Sequence, residues 1–336
     1  MKAIVLVGGF GTRLRPLTLA APKQMLPVGD VTMLERVVAK LGSFGVDEVV
    51  LSLGYQPDAF RTEFPDGRCA GVRLVYAVEP EPLDTAGAIR FAAEAAGVEE
   101  RVIAVNGDVL TDLDIAALWN RHAQLGGAAT IALTPVEDPS RYGVVPIDAD
   151  GRVEAFIEKP DPGTAPSNWI NAGTYVLEPS VLRRIPTGRK VSIEREVFPE
   201  LVADRELFGV QSDSYWIDAG TPEAYLQAHL DLLDGVRGTF EAGVDPSARV
   251  DVDAKVSRSF VGPGAVVAAG AEVVDSVLMA GVRVAAGTRI ERSVVGARSS
   301  VGASSTLVDL TVVGYDQDVA AGTTSSGERF PGPDAW

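Results

Sequence analysis

The sequence predicts two architectures in one chain of 336 residues: an α/β domain on a mostly parallel sheet, then a parallel β-helix. Two periodicities carry this reading. Up to about residue 235, short β-branched runs alternate with stretches of helical spacing. From Val244 onward the helical spacing stops, and aliphatic residues recur with a period near six.

The strand candidates of the first part are "KAIVLV", "EVVLSLG", "VRLVYAV", "RVIAVNGD" and "ATIALTPV". Branching at Cβ crowds a helical turn but packs well on a pleated surface, so these runs favour strands. Between them, "MLERVVAKLGSFG", "TAGAIRFAAEAAG" and "DIAALWNRHAQLG" place apolar residues three and four apart. Such alternation builds a mostly parallel sheet with helices on both faces, and its ligands sit beyond the carboxyl ends of the strands. "YGVVPIDADGRVEAFIEKP" departs from it: Asp148, Ala149, Asp150 and Gly151 form a turn signal between two strand-like runs, which predicts an inserted antiparallel hairpin. A last helix starts at Thr221 as cap with Pro222 in the first helical position, closing a domain of residues 1–235.

The second part repeats in triplets. Val244, Val250 and Val256 are followed by Val261, Val267 and Val273, then by Leu278, Val284 and Ile290, then by Val295, Val301 and Leu307. Six residues separate members of a triplet and seventeen separate equivalent positions, which describes a three-sided coil with one inward aliphatic per side. Val267, Val284 and Val301 are thus expected to stack. Ser259, Ser276 and Ser293 keep the same seventeen-residue interval, as do Gly270 and Gly287. The β-helix is expected over residues 240–322, with 323–336 as a polar tail.

Composition narrows the function. A net charge of -16 and a pI near 4.6 repel polyanions, so neither nucleic acid nor an anionic membrane surface is an expected partner. The single Cys69 forms no internal disulfide, and the run "AIVLV" is too short for a signal-peptide core or a membrane span, which points to the cytoplasm. His122 and His229 are the only histidines, leaving little for histidine-based metal sites or nucleophile pairs.

Against that acidic background, no Asp or Glu occurs before Asp30, while "GGFGTRLRPLTLAAPK" carries Arg13, Arg15 and Lys23. Glycines at 8, 9 and 11 directly after a strand let backbone N–H groups approach a phosphate, and the cations supply local charge. A triphosphate cradle fits better than a solvated basic loop. It is neither a Walker loop, since no Gly-Lys-Ser/Thr follows, nor G-x-G-x-x-G, since Leu14 takes the third glycine slot. "VNGDV" and "YWIDAG" put Asp108 and Asp218 at strand ends; singly each reads as a turn aspartate, while together they suit a hard divalent cation. Glu158 and Lys159 in "FIEKP" are either a surface ion pair or part of an anion grip.

In this order, "GGFGTRLRPLTLAAPK", "NGD", "RYGVV", "EKP", "NAGTYVL" and "WIDAG", followed by hexapeptide repeats, resemble the sugar-1-phosphate nucleotidyltransferases. Within them the mannose-1-phosphate guanylyltransferases look most similar. The resemblance implies a Rossmann-like nucleotidyltransferase fold followed by a left-handed β-helix. It also implies attack of a sugar-1-phosphate oxygen on the α-phosphorus of a nucleoside triphosphate, with GTP and mannose-1-phosphate favoured and Mg²⁺ as cofactor. Carried over residue by residue, it assigns the nucleotide to Leu6, Gly8, Gly9, Gly11, Thr12, Arg13, Lys23, Glu79, Asp84, Thr85, Asn106, Gly107 and Asp108. Catalysis falls to Arg13, Lys23, Asp108 and Lys159, the sugar phosphate to Gly143, Glu158, Lys159, Asn171 and Asp218, and the metal to Asp108 and Asp218.

Two positions depart from the guanylyltransferase pattern: Asp84 stands where a glycine is usual, and Gln24, where proline is frequent, looks like the thymidylyltransferases of glucose-1-phosphate. Thymidylyl or uridylyl transfer to glucose-1-phosphate is therefore an alternative. A non-catalytic NDP-sugar-binding subunit is another, disfavoured by the retained Arg13, Lys23, Asp108, Asp218 and Lys159. The β-helix has no histidine, unlike the acetylating relatives it resembles, so a structural role and a homo-oligomer through this domain are expected.

Overall fold

Lys2–Leu6 is the strand on which the sheet is built, and Ala3, Ile4 and Val5 are fully buried, as a strand covered on both faces requires. In the computed structural model, which describes residues 1–54, 57–238 and 240–336, two units separate: residues 1–9 with 35–216, and residues 10–34 with 217–336.

In the first unit, Lys2–Leu6 pairs in parallel with Glu48–Leu53 on one side and with Val102–Asn106 on the other. Glu48–Leu53 in turn pairs in parallel with Val72–Val78. The sheet then changes direction: Trp169–Leu177 runs antiparallel to both Val102–Asn106 and Ala129–Pro135, and Leu207–Gln211 is parallel to the latter. The sheet is thus a mixed one, with a parallel core of Lys2–Leu6, Glu48–Leu53, Val72–Val78 and Val102–Asn106. The hairpin appears where the turn signal placed it, with Ile147 bridged to Val153 and Asp148 accepting from the backbone N–H groups of Asp150 and Arg152.

The three helices expected from spacing form at Met33–Ser43, Asp84–Ala95 and Ile115–Leu125. Asp114 caps the last of these by accepting from Ala117 N at 2.9 Å, and Gly126 ends it in the left-handed conformation that glycine adopts without strain. Among the described residues no helix is long and apolar enough to cross a membrane.

The second unit joins the irregular segment 10–34 to the helix Pro222–Leu233 and the repeat domain. Thr221 caps that helix as expected, its hydroxyl accepting from Ala224 N. Beyond it, three five-stranded parallel sheets form the sides of a coil, consistent with a left-handed β-helix. Val267, Val284 and Val301 are register partners in successive coils, and each is 1–2% exposed. Val273, Ile290 and Leu307 form the second inner column, and Val261, Leu278, Val295 and Val313 the third. The repeating serines make a ladder: Ser259 and Ser276 each accept from the backbone N–H of the serine one coil further on, while their hydroxyls donate within their own corner.

Two expectations are corrected. Val244 and Val250 remain 39% and 37% exposed, because residues of the first coil have a neighbouring coil on one side only. The coil also runs past residue 322: Thr324–Ser326 pairs with Thr306–Val308, and Arg329–Phe330 with Val312–Val313. The register was obscured by one extra corner residue, since Asp309 and Leu310 both take positive φ where Arg258, Asp275 and Arg292 do so singly.

An ionised group at Val284 would lie in an apolar column with no partner, a situation that costs about 3–5 kcal/mol. Val284→Asp should therefore melt well below the wild type, whereas Arg283→Asp, at an exposed neighbouring position, should melt with it. Coincident thermal melts of the two variants would overturn the assigned register.

Candidate active site

In the first unit, the predicted residues gather at strand ends. Leu6 is paired with Asn106, and its carbonyl accepts from Gly107 N at 2.9 Å. A Cβ on Gly107 would meet that same carbonyl oxygen at 2.9 Å, so glycine is required where the chain turns toward Asp108. Gly8 and Gly9 follow the first strand, and Gly9 has a φ of 97°, a conformation open to few other residues. The Asn106 side chain lies over Gly173, whose Cβ would approach Asn106 Nδ2 to 2.6 Å. This contact falls within the bulge where the pairing of Trp169–Leu177 with Ala129–Pro135 shifts register.

The same bulge shapes Asn171. Its amide donates to the Tyr175 hydroxyl at 2.9 Å and its carbonyl oxygen accepts from Gly173 N at 2.9 Å, which fixes its orientation. Gly143 is paired with Glu158, and Lys159 N donates to the Tyr142 carbonyl at 3.0 Å. Lys159 has a positive φ of 48° and its Nζ lies 3.1 Å from Glu158 Oε1. The ion-pair reading is thus realised, with Lys159 still 62% exposed and available to an anion.

Glu79 has a role that residue type alone does not reveal. Its two oxygens accept from Ser52 Oγ and from Leu83 N, both at 2.9 Å, so it staples the loop before Asp84–Ala95. Asp84 takes a φ of 60°, the left-handed region, which Asp tolerates better than most side chains. The departure from glycine therefore keeps the backbone shape while adding an exposed carboxylate. Thr85 donates its hydroxyl to Glu194 and accepts from Ile193 N, tying this corner to a distant turn.

The second unit holds Gly11, Thr12, Arg13, Lys23 and Asp218. Gly11 has a φ of 58°, and a Cβ there would meet Thr18 Cγ2 at 2.9 Å and Lys23 Cβ at 3.3 Å. The Thr18 hydroxyl donates to the Gly11 carbonyl at 2.7 Å, closing the loop on itself. Arg13 Nη2 stands 3.8 Å from Asp218 Oδ2, and Asp218 Oδ1 accepts from Gly220 N at 2.9 Å. Gln24 is 1% exposed, and neither of its side-chain polar atoms has a protein partner.

Several supporting residues were not anticipated from sequence: Ser52, Glu194, Tyr175 and Gly220. Gly220 ends "WIDAG" and had a readable signal in its position two residues after Asp218. The others are ordinary residue types whose roles depend on long-range contacts. The two histidines are structural: His122 is 1% exposed between Thr130 and Glu178, burial pushing its pKa down, and His229 packs on Tyr225 and Phe260.

A glycine-rich turn after the first strand of an α/β sheet, with arginine and lysine on the segment that follows, is the arrangement of a nucleotide-handling transferase. The chain belongs to the nucleotidyl transferase family: that family's sequence profile matches residues 2–235, and the profile described as the GMPPB C-terminal domain matches residues 240–329. It is 43% identical over 240 residues to a mannose-1-phosphate guanylyltransferase of Mycobacterium tuberculosis, a match covering 70% of this chain and 66% of that protein. A rice protein described as a probable mannose-1-phosphate guanylyltransferase is 41% identical, over 74% of this chain and 70% of its own length. Among solved structures, HddC from Yersinia pseudotuberculosis complexed with GMP-PN superposes with a TM-score of 0.57 at 29% identity, covering 68% of this chain and 97% of that one.

Gly220→Ala offers a test of the local geometry. The added Cβ would meet Asp218 Oδ1 at 2.7 Å and Arg13 Nη2 at 2.9 Å, both at the ends of movable side chains, so the fold should survive while the pair is displaced. Misplacement of about 1 Å can cost about 10²-fold in rate. The expected result is an unchanged melt with nucleotidyl transfer reduced about tenfold or more; full activity would remove the pair from the site.

Proposed function

We propose that this chain transfers a guanylyl group from GTP to mannose-1-phosphate, making GDP-mannose and releasing pyrophosphate. The observation that carries the reading is the acid-free glycine loop with Arg13 set against Asp218 and Gly220, in a chain whose curated relatives bear that activity in their names.

In this mechanism a phosphate oxygen of the sugar phosphate attacks the α-phosphorus, and the bond from that phosphorus to the bridging oxygen of the β-phosphate breaks. The nucleophile is already ionised at neutral pH, so no histidine or cysteine base is needed, consistent with the buried roles of His122 and His229. Glycines 8, 9 and 11 present backbone to the nucleotide, together with Leu6, Thr12, Glu79, Asp84, Thr85, Asn106 and Gly107. Arg13 stabilises the charge that develops on the departing pyrophosphate, and Lys23 contacts the phosphates. Lys159 grips the sugar phosphate while Glu158, Asn171 and the Gly143 backbone read the sugar hydroxyls. Positioning and charge compensation supply the rate, as they do in phosphoryl transfer generally.

Hard carboxylate oxygens suit Mg²⁺, and Asp108 and Asp218 are the residues that would hold it. Asp218 fits on its own geometry, being fixed through Oδ1 by Gly220 N and offering Oδ2 toward the cationic loop. When bound, the ion neutralises phosphate charge. The remaining parts of the proposal are a cytoplasmic reaction and self-association through the β-helix, the latter readable by size-exclusion chromatography.

The deciding experiment measures pyrophosphate release over a grid of nucleoside triphosphates and sugar-1-phosphates. GTP with mannose-1-phosphate should give the highest kcat/KM; preference for dTTP or UTP with glucose-1-phosphate would reassign the substrates, and no turnover with any pair would leave an NDP-sugar-binding subunit. Asp108→Asn and Asp218→Asn should each lower turnover about 10²–10³-fold. Lys159→Ala should mainly raise the KM for sugar-1-phosphate, while Arg13→Lys should impair turnover, because a point charge does not replace the arginine fork.

A further inference from the structure

The three sides of the β-helix are not alike. On two of them the outward positions are charged, polar or partly exposed, as with Arg249, Arg283 and Asp318 on one side and Lys255, Arg289 and Thr324 on another. On the third side the outward residues of the first four strands are Phe260, Val277, Val294 and Val312, with exposures of 7%, 2%, 0% and 0%, and the fifth strand places the half-buried Arg329 there. The four apolar ones alternate along the strands with the inner column Val261, Leu278, Val295 and Val313, so over these four strands the sheet is apolar and covered on both faces.

Contacts at both ends of this side lead to segment 10–34, which carries Arg13 and Lys23. At the last coils, Gly314 lies against Pro16: a Cβ on Gly314 would meet Pro16 Cβ at 3.1 Å, Phe330 O at 3.2 Å and Pro16 Cγ at 3.4 Å. Pro16 separates two single 3-10 turns, Thr12–Leu14 and Leu17–Leu19, and Leu14 and Leu17 are fully buried. At the first coil, Phe260 packs on His229 with ring centroids 5.2 Å apart. His229 packs on Tyr225 at 4.7 Å, and the Tyr225 hydroxyl donates to the carbonyl of Pro27. The equivalent corners differ: Met279 places a side chain there, 3% exposed, whereas at Gly262 and Gly296 a Cβ would strike the backbone of the next coil, at 2.9 and 2.5 Å. At 314 that space belongs to Pro16.

We infer that this side of the β-helix is the platform that sets the catalytic loop, with Gly314 and Pro16 as positioning residues for Arg13. The inference rests on the proposed role of Arg13 and extends it: the repeat domain acts in catalysis through the loop and not only in assembly.

The test compares Gly314→Ala and Gly314→Val, each alone and combined with Arg13→Ala, and uses Arg283→Asp, on a different side, as control. The alanine Cβ asks Pro16 and the Phe330 carbonyl each to move by only a few tenths of an ångström, so it guards against simple unfolding of the valine variant. Expected is a graded loss of kcat, about tenfold or more for valine, with the KM for sugar-1-phosphate unchanged, because Lys159 lies outside this segment. In the Arg13→Ala background the same substitutions should change kcat less than about twofold, as non-additivity requires of groups acting as one. Hydrogen exchange should quicken at amides 14, 15 and 19, which close the two turns, and stay unchanged in the control. Unaltered kcat in the valine variant, or equal losses with and without Arg13, would overturn the inference. Unaltered exchange would do so even if the wild type proved inactive on every substrate pair, an outcome that would count against the proposed function alone.

Discussion

Everything in this molecule depends on holding an irregular, cation-bearing segment in one shape. Residues 10–32 contain only single 3-10 turns and a two-residue strand pair, so little of their order comes from repetitive hydrogen bonding. Fixing a backbone costs about 1–2 kcal/mol per residue, and a segment of this kind must recover that cost by burial outside itself. Leu14, Leu17, Leu26 and Val28 are all fully buried, and they are the means by which the segment is tied down. Arg13 remains 59% exposed because the leucines on either side of the turn do the anchoring.

That constraint gives the repeat domain a second meaning. A three-sided coil needs its inner columns for stability, and these would suffice for a spacer. An outer apolar column on one side alone is not needed to stack coils; it is needed to receive another part of the chain. Phe260, Val277, Val294 and Val312 recur at the coil interval, so the asymmetry is repeated over four successive strands, up to Arg329 on the fifth, and is not a local accident.

How much of this was legible follows from where each signal lies. The inner columns could be read because alternation and a fixed coil length leave a strict period, and that period failed only at Asp309 and Leu310, where one more residue enters a corner. The strands and helices of the first unit were read from spacing, while the reversed direction of Trp169–Leu177 was not, since strand direction leaves no trace in composition. The outer column was present in the sequence at the same interval but hides among other valines until exposure separates the faces. Glu79 illustrates the limit at the site: its residue type does not tell that its carboxylate bonds Ser52 and Leu83 N, and only these contacts show the loop-fixing role.

The electrostatics of the loop complete the argument. The Arg13 to Asp218 separation of 3.8 Å is an ion pair without a hydrogen bond, and with both groups partly exposed it contributes about 0–1 kcal/mol. A phosphate that accepts two parallel hydrogen bonds from a guanidinium binds more strongly than that, so an incoming anion can displace Arg13 from its resting partner without a large cost. A closer, buried pair would hold Arg13 in place but resist the exchange, and no pair at all would leave the cation unoriented in a chain of net charge -16. The loose pairing suits the role proposed for Arg13, which would have to be aimed before the substrate arrives and released once it does; Gly220, which leaves room for both side chains, permits it.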